Sequence, residues 1–105
     1  MNVRLTQREI DAIVSAVKAV DQRWEVYLYG SRVDPDLRGG DIDLLVVIPQ
    51  DQGQNPPCHD YQLVNRIKKV IGDRRIDLSL VSEEDCIHDA FYKLIWPKSV
   101  KLTHD

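Results

Sequence analysis

Cysteine is scarce in this chain. Cys58 and Cys86 are the only two, with no Cys-x-x-Cys pair and no histidine spacing suited to zinc. Neither a disulfide scaffold nor a zinc module is expected, and both thiols are read as free. Long apolar runs are absent too. The longest, Leu44 to Ile48, is five residues, against the roughly 20 needed to cross a bilayer. The first ten residues include Arg4, Arg8 and Glu9 and no apolar signal-peptide core, so the expectation is a cytoplasmic protein without a membrane partner. An excess of positive charge is also missing, because 14 Lys and Arg stand against 17 Asp and Glu. That argues against direct nucleic-acid binding as the main task. No repeat or linker is visible, and residues 1–105 are read as one domain. A chain of this length can bury roughly two-thirds of its unfolded surface without staples.

What is present is a regular alternation of elements. Thr6-Gln7-Arg8-Glu9 is a capping-box pattern ahead of Ile10, Ile13, Val14, Val17 and Val20 at helical spacing, which predicts a helix from about Gln7 to Asp21. Trp24 to Tyr29 reads as a strand stopped by Gly30. Ser31 to Gly40 is turn-rich, with a short helical turn expected after Ser31. Asp41 to Ile48 is the strongest strand, ended by Pro49. A polar loop leads to a second helix, Tyr61 to Val70, with Leu63, Val64, Ile67 and Ile71 on one face and Gly72 at its end. Arg75 to Val81 is a third strand. Ser82, followed by three acidic residues, caps a third helix running to Ile95 or Trp96, where Pro97 stops it. Val100 to Leu102 is expected as a short edge strand. The order predicts an α/β (α+β) fold, a small mixed β-sheet flanked by helices.

Three features carry chemistry. Gly30-Ser31 closes a strand, and a helical turn starting there would aim N–H groups and a hydroxyl at phosphate oxygens. Alone, the pair is an ordinary turn. Asp41 and Asp43 lie about 7 Å apart on one face of a strand, with Ile42, Leu44, Val46 and Ile48 on the other. Two such carboxylates repel unless a cation sits between them, and oxygen ligands suit Mg²⁺. The bland alternative is a solvated strand start. Asp77 interrupts the apolar face pattern of the third strand, with Ile76, Leu78 and Leu80 opposite. It is either exposed, salt-bridged to Arg74 or Arg75, or the third carboxylate of a patch that can hold two ions about 4 Å apart.

Gly30-Ser31-Arg32, then Gly40-Asp41-Ile42-Asp43-Leu44, then Asp77 on a later strand together resemble the nucleotidyltransferase superfamily that includes DNA polymerase β. The resemblance spans about Trp24 to Val81. The shortness of the chain is similar to the minimal nucleotidyltransferases, often encoded beside a HEPN-domain protein as the antitoxin of HEPN–MNT toxin–antitoxin pairs. It implies a nucleotidyltransferase fold and transfer of a nucleoside monophosphate from a nucleotide triphosphate, ATP, to an acceptor hydroxyl with release of pyrophosphate. Gly30 and Ser31 would hold the triphosphate, and Arg32 would neutralise its charge or pin the loop. Asp41 and Asp43 would ligate two Mg²⁺ ions. Asp77 would complete the catalytic metal site and help deprotonate the attacking hydroxyl. The acceptor implied is a tyrosine of a HEPN ribonuclease. One departure stands out: Arg32 to Gly40 is one residue shorter than the spacing often seen in toxin-modifying members.

Two other readings are kept. One is a binding module that neutralises its partner by contact, the other a nucleotidyltransferase with a small-molecule or RNA acceptor. Homo- and hetero-oligomers both stay open. Trp96, Tyr92, Phe91 and Ile95 are a candidate partner surface, although core packing is expected for Phe91 and Ile95. Trp24 and Tyr27 are expected at the sheet edge. His59, His88 and His104 are expected to be exposed. Arg66, Lys68, Lys69, Arg74 and Arg75 are read as a solvated face, with an acidic partner groove or RNA as the sharper alternative.

Overall fold

The computed structural model describes residues 5–30, 41–52 and 55–103. Helix α1 (Gln7–Val20) starts at Thr6, whose hydroxyl accepts from the Glu9 N–H while the Glu9 carboxylate accepts from the Thr6 N–H. Its apolar face, Ile10, Ile13 and Val17, is buried. Strand β1 (Glu25–Tyr29) pairs antiparallel with β2 (Ile42–Ile48), and β2 pairs parallel with β3 (Ile76–Ser82). Helix α2 (Asp60–Ile71) makes the crossover that a parallel pair requires. A two-residue strand β4 (Val100–Lys101) adds antiparallel to β1, giving the order β3-β2-β1-β4. This is the mixed sheet flanked by helices that the element order predicts.

The two faces of the sheet are covered unequally. On one, Val26, Leu28, Ile42, Leu44, Val46, Ile48 and Leu78 pack with α1 and α2 residues, among them Ile13, Val17, Leu63 and Ile67. On the other, a smaller cluster of Leu45, Val47, Val81 and Cys86 is flanked by Tyr27, Tyr29, Tyr92, Ile95 and Trp96. The unbroken apolar run Leu44 to Ile48 follows from burial on both sides. No helix among the described residues is long and apolar enough to cross a membrane, and both cysteines are free.

Several expectations change. The third helix is two helices, α3 (Glu83–His88) and α4 (Ala90–Ile95). Asp89 breaks them apart in an extended conformation, and its carboxylate accepts from the Phe91 and Tyr92 N–H groups. Competition of this kind between an aspartate side chain and the helical backbone favours a new start over continuation. Phe91 is exposed rather than in the core, whereas Ile95 packs at the edge of the smaller cluster. Trp24 is fully buried in the larger cluster rather than at the sheet edge. Its indole N–H donates to Gln52 Oε1 at 2.6 Å, and the Gln52 amide donates to Asp21. The expected turn after Ser31 and His104 lie outside the described residues; His59 and His88 are exposed.

Truncation should separate core from surface. Leu44→Ala is expected to lower stability by about 2–5 kcal/mol, and Phe91→Ala to change it by no more than about 0.5 kcal/mol, both read from urea unfolding. A loss at Phe91 matching that at Leu44 would place Phe91 in the core.

Candidate active site

The site begins with strand register. In β1–β2, Tyr29 stands opposite Asp43; in β2–β3, Asp43 stands opposite Asp77. Residues in register on neighbouring strands point to the same face, so Tyr29, Asp43 and Asp77 form a row across three strands about 4.8 Å apart. The row lies on the less covered face, on the same side as Leu45 and Val47 and beyond the end of the small cluster. Asp77 is exposed and makes no salt bridge among the described residues. The two arginines that could have paired with it are engaged elsewhere. Arg74 approaches Glu9 Oε2 at 3.5 Å and Arg75 approaches Asp41 Oδ1 at 3.9 Å.

Asp41 precedes β2 and is half-buried, while the Ile42 N–H donates to the Arg75 carbonyl at 2.8 Å. Of the three predicted carboxylates, the structure therefore sets Asp43 and Asp77 side by side and turns Asp41 toward Arg75. Among the described residues, no group of three or more His, Cys, Asp or Glu side chains is gathered tightly enough to hold a metal ion. The Asp43–Asp77 pair nevertheless suits Mg²⁺, which takes one or two protein carboxylates and leaves its other positions to phosphate oxygens and water. Arg75 is largely exposed, so its long contact with Asp41 is held weakly.

Gly30 ends β1 with φ +80°, a left-handed conformation that favours glycine. A Cβ at this position would collide with the Asp43 carboxylate. The glycine is thus what allows the carboxylate and the start of the next loop to share one place. Ser31, Arg32 and the rest of the loop to Gly40 lie outside the described residues, so the phosphate-binding expectation stops at Gly30. Tyr29 is the neighbour that motif reading passed over as a site residue. Burial, and after it the charges of Asp77, Asp43 and Tyr92, push its phenol up to about 12. It therefore stays neutral beside two carboxylates. Its place as the last strand residue, immediately before Gly30, was readable, but its position opposite Asp43 needed the register.

Residues 10–101 match the family model of the nucleotidyltransferase domain. The chain belongs to this family. No curated protein matches it at a significant level. Within the matched residues, the end of the first strand brings Gly30 against the Asp43 carboxylate of the second.

Two measurements check this geometry. Gly30→Ala and Gly72→Ala both replace a glycine at positive φ, and each is expected to cost more than about 1 kcal/mol. The Gly30 loss should be the larger, because nothing lies within 4 Å of a Cβ at Gly72. Equal losses would mean that the Asp43 carboxylate is not packed against Gly30. For Tyr29, the folded value of about 12 exceeds the ordinary 10. The folded state thus holds its proton where the unfolded chain has released it. The resulting contribution to stability is complete below pH 10 and disappears as pH rises toward 12. Ultraviolet titration should show one tyrosine ionising late, and Asp77→Asn should bring it partway back. A late tyrosine unmoved by Asp77→Asn would separate the two side chains.

Proposed function

We propose that this nucleotidyltransferase domain transfers AMP from ATP to a hydroxyl of a partner protein. The proposed acceptor is a tyrosine of a HEPN-domain ribonuclease encoded nearby, which would make the chain an antitoxin that acts by modification. The observation that carries the transferase reading is the in-register pair Asp43–Asp77 beside Gly30 in a chain of this family. Support for the finer reading is the resemblance of Gly30-Ser31-Arg32, Gly40-Asp41-Ile42-Asp43-Leu44 and Asp77 to the nucleotidyltransferase superfamily, whose minimal members are often encoded beside a HEPN-domain protein.

Each residue has a chemical task in this reading. The bare backbone at Gly30 lets the Asp43 carboxylate sit against the end of β1, beside the segment that would hold the triphosphate. The Ser31 hydroxyl and N–H donate to phosphate oxygens, and Arg32 offsets their charge. Asp43 and Asp77 would hold Mg²⁺, and Asp41 would supply a further carboxylate for a second ion. When bound, Mg²⁺ offsets triphosphate charge and acidifies the attacking hydroxyl. The acceptor oxygen forms a bond to the α-phosphorus, the α–β phosphoanhydride bond breaks, and pyrophosphate leaves. The hydroxyl proton passes to a carboxylate oxygen of Asp77, a general-base contribution of about 10²–10⁴ in rate. Tyr29 keeps its proton throughout, so it adds no third negative charge beside the pair.

The test is incubation with labelled ATP, Mg²⁺ and the neighbouring HEPN protein. Wild type should transfer label. Asp77→Asn should transfer at least about 100-fold less, while gaining about 0.2–1 kcal/mol of stability from relief of the in-register like-charge pair. No transfer by wild type, together with full neutralisation of the neighbour by Asp41→Asn/Asp43→Asn, would instead support the contact-only antitoxin.

A further inference from the structure

Helices α3 and α4 leave an unusual amount of apolar surface in water. Ile87, Phe91 and Leu94 are 63%, 54% and 68% exposed, three large apolar side chains within eight residues. Beside them runs a groove of about 500 Å³, lined by Val47 on β2, by Cys86 and Ile87 on α3, and by Trp96. Tyr27 packs on the Trp96 ring at a centroid distance of 4.4 Å and holds it in the wall. Clustered apolar surface of this kind marks an interaction site more often than a single exposed leucine does.

The charge around the groove selects what can enter it. Glu83 and Glu25 line it together with Lys93. Glu25 is already paired with Lys101 at 3.2 Å. Glu83, Glu84 and Asp85 are exposed and make no salt bridge among the described residues. Over residues 83–98, Glu83, Glu84, Asp85 and Asp89 stand against Lys93 and Lys98 only. An apolar cleft with three exposed acidic residues at one end, Glu83 in its wall and Glu84 and Asp85 next to it in sequence, complements a segment that has apolar anchors flanked by lysine or arginine.

The groove also has a fixed relation to the carboxylates. Val47 and Asp43 point to the same face of β2, four residues apart, which is about 13 Å along the strand. A chain seated in the groove therefore reaches the Asp43–Asp77 pair with about four extended residues.

We infer that this groove is the docking site for the acceptor protein, taking a basic, apolar-faced segment and delivering its acceptor hydroxyl to the carboxylates. The delivery step rests on the transferase reading above; the docking step does not. The probe is a synthetic amphipathic helical peptide with leucine at i, i+3, i+4 and i+7 and lysine elsewhere, paired with the same peptide carrying glutamate for lysine. Trp96 fluorescence reports binding, with fully buried Trp24 as a constant background. The lysine peptide should bind saturably without ATP or Mg²⁺, at least 10-fold tighter than the glutamate peptide. Ile87→Asp, at an exposed position, should weaken it at least 10-fold with unchanged thermal unfolding. In label transfer to the acceptor protein, Ile87→Asp should raise the acceptor KM at least 10-fold and leave that for ATP unchanged. Equal binding of the two peptides, or an Ile87→Asp variant with wild-type affinity, overturns the inference. So does a dimer of this chain that Ile87→Asp dissolves, since a second copy is then the occupant. Peptide binding as expected with no label transfer by wild type would sink the transferase reading and leave the docking site standing.

Discussion

The structure turns on two carboxylates held in register on adjacent strands. Asp43 and Asp77 face each other across β2 and β3, an arrangement that is unfavourable by itself because like charges at directly opposed positions repel. The pair persists because the register is imposed by residues that have no stake in it. Ile42, Leu44, Val46 and Ile48 are buried against α1 and α2, and Leu45 and Val47 are buried on the opposite face. A slip of one residue would send each set to the wrong side. Apolar burial on both faces of β2 thus supplies the free energy that keeps two negative charges together.

The unequal covering of the sheet gives this pair its setting. The α1–α2 face forms the larger core, and the opposite face is closed only by two short helices and the turn at Trp96. That partial cover keeps Tyr29 dry enough for its phenol to be pushed up, while Asp77 stays open to solvent. Gly30 completes the arrangement by occupying a backbone conformation and a space that no other residue can share with the Asp43 carboxylate.

Much of this was legible in the sequence. The period of Ile10, Ile13 and Val17 marks α1, the alternation of Asp41 and Asp43 with buried neighbours marks β2, and Asp77 stands out in β3 because a carboxylate interrupts an apolar strand. What was not legible depends on contacts between elements. The pairing of Arg75 with Asp41 requires knowing that Arg75 sits beside the start of β2. Tyr29 becomes a site residue only through its place opposite Asp43. The break at Asp89 is a local competition between its side chain and the helical backbone, which apolar periodicity does not register. Phe91 and Trp24 exchanged their expected places because burial is decided by where an element docks rather than by residue type.

The most direct measurement is calorimetric titration of Mn²⁺, in the presence of a nonhydrolysable ATP analogue, into wild type and Asp43→Asn/Asp77→Asn. If the in-register pair is the cation site, wild type binds saturably and the double variant binds at least about 10-fold more weakly, a difference of about 1.4 kcal/mol or more. Equal affinity in the two proteins would show that the Asp43–Asp77 pair does not hold the metal, and the reading of this strand register as an active site would fall.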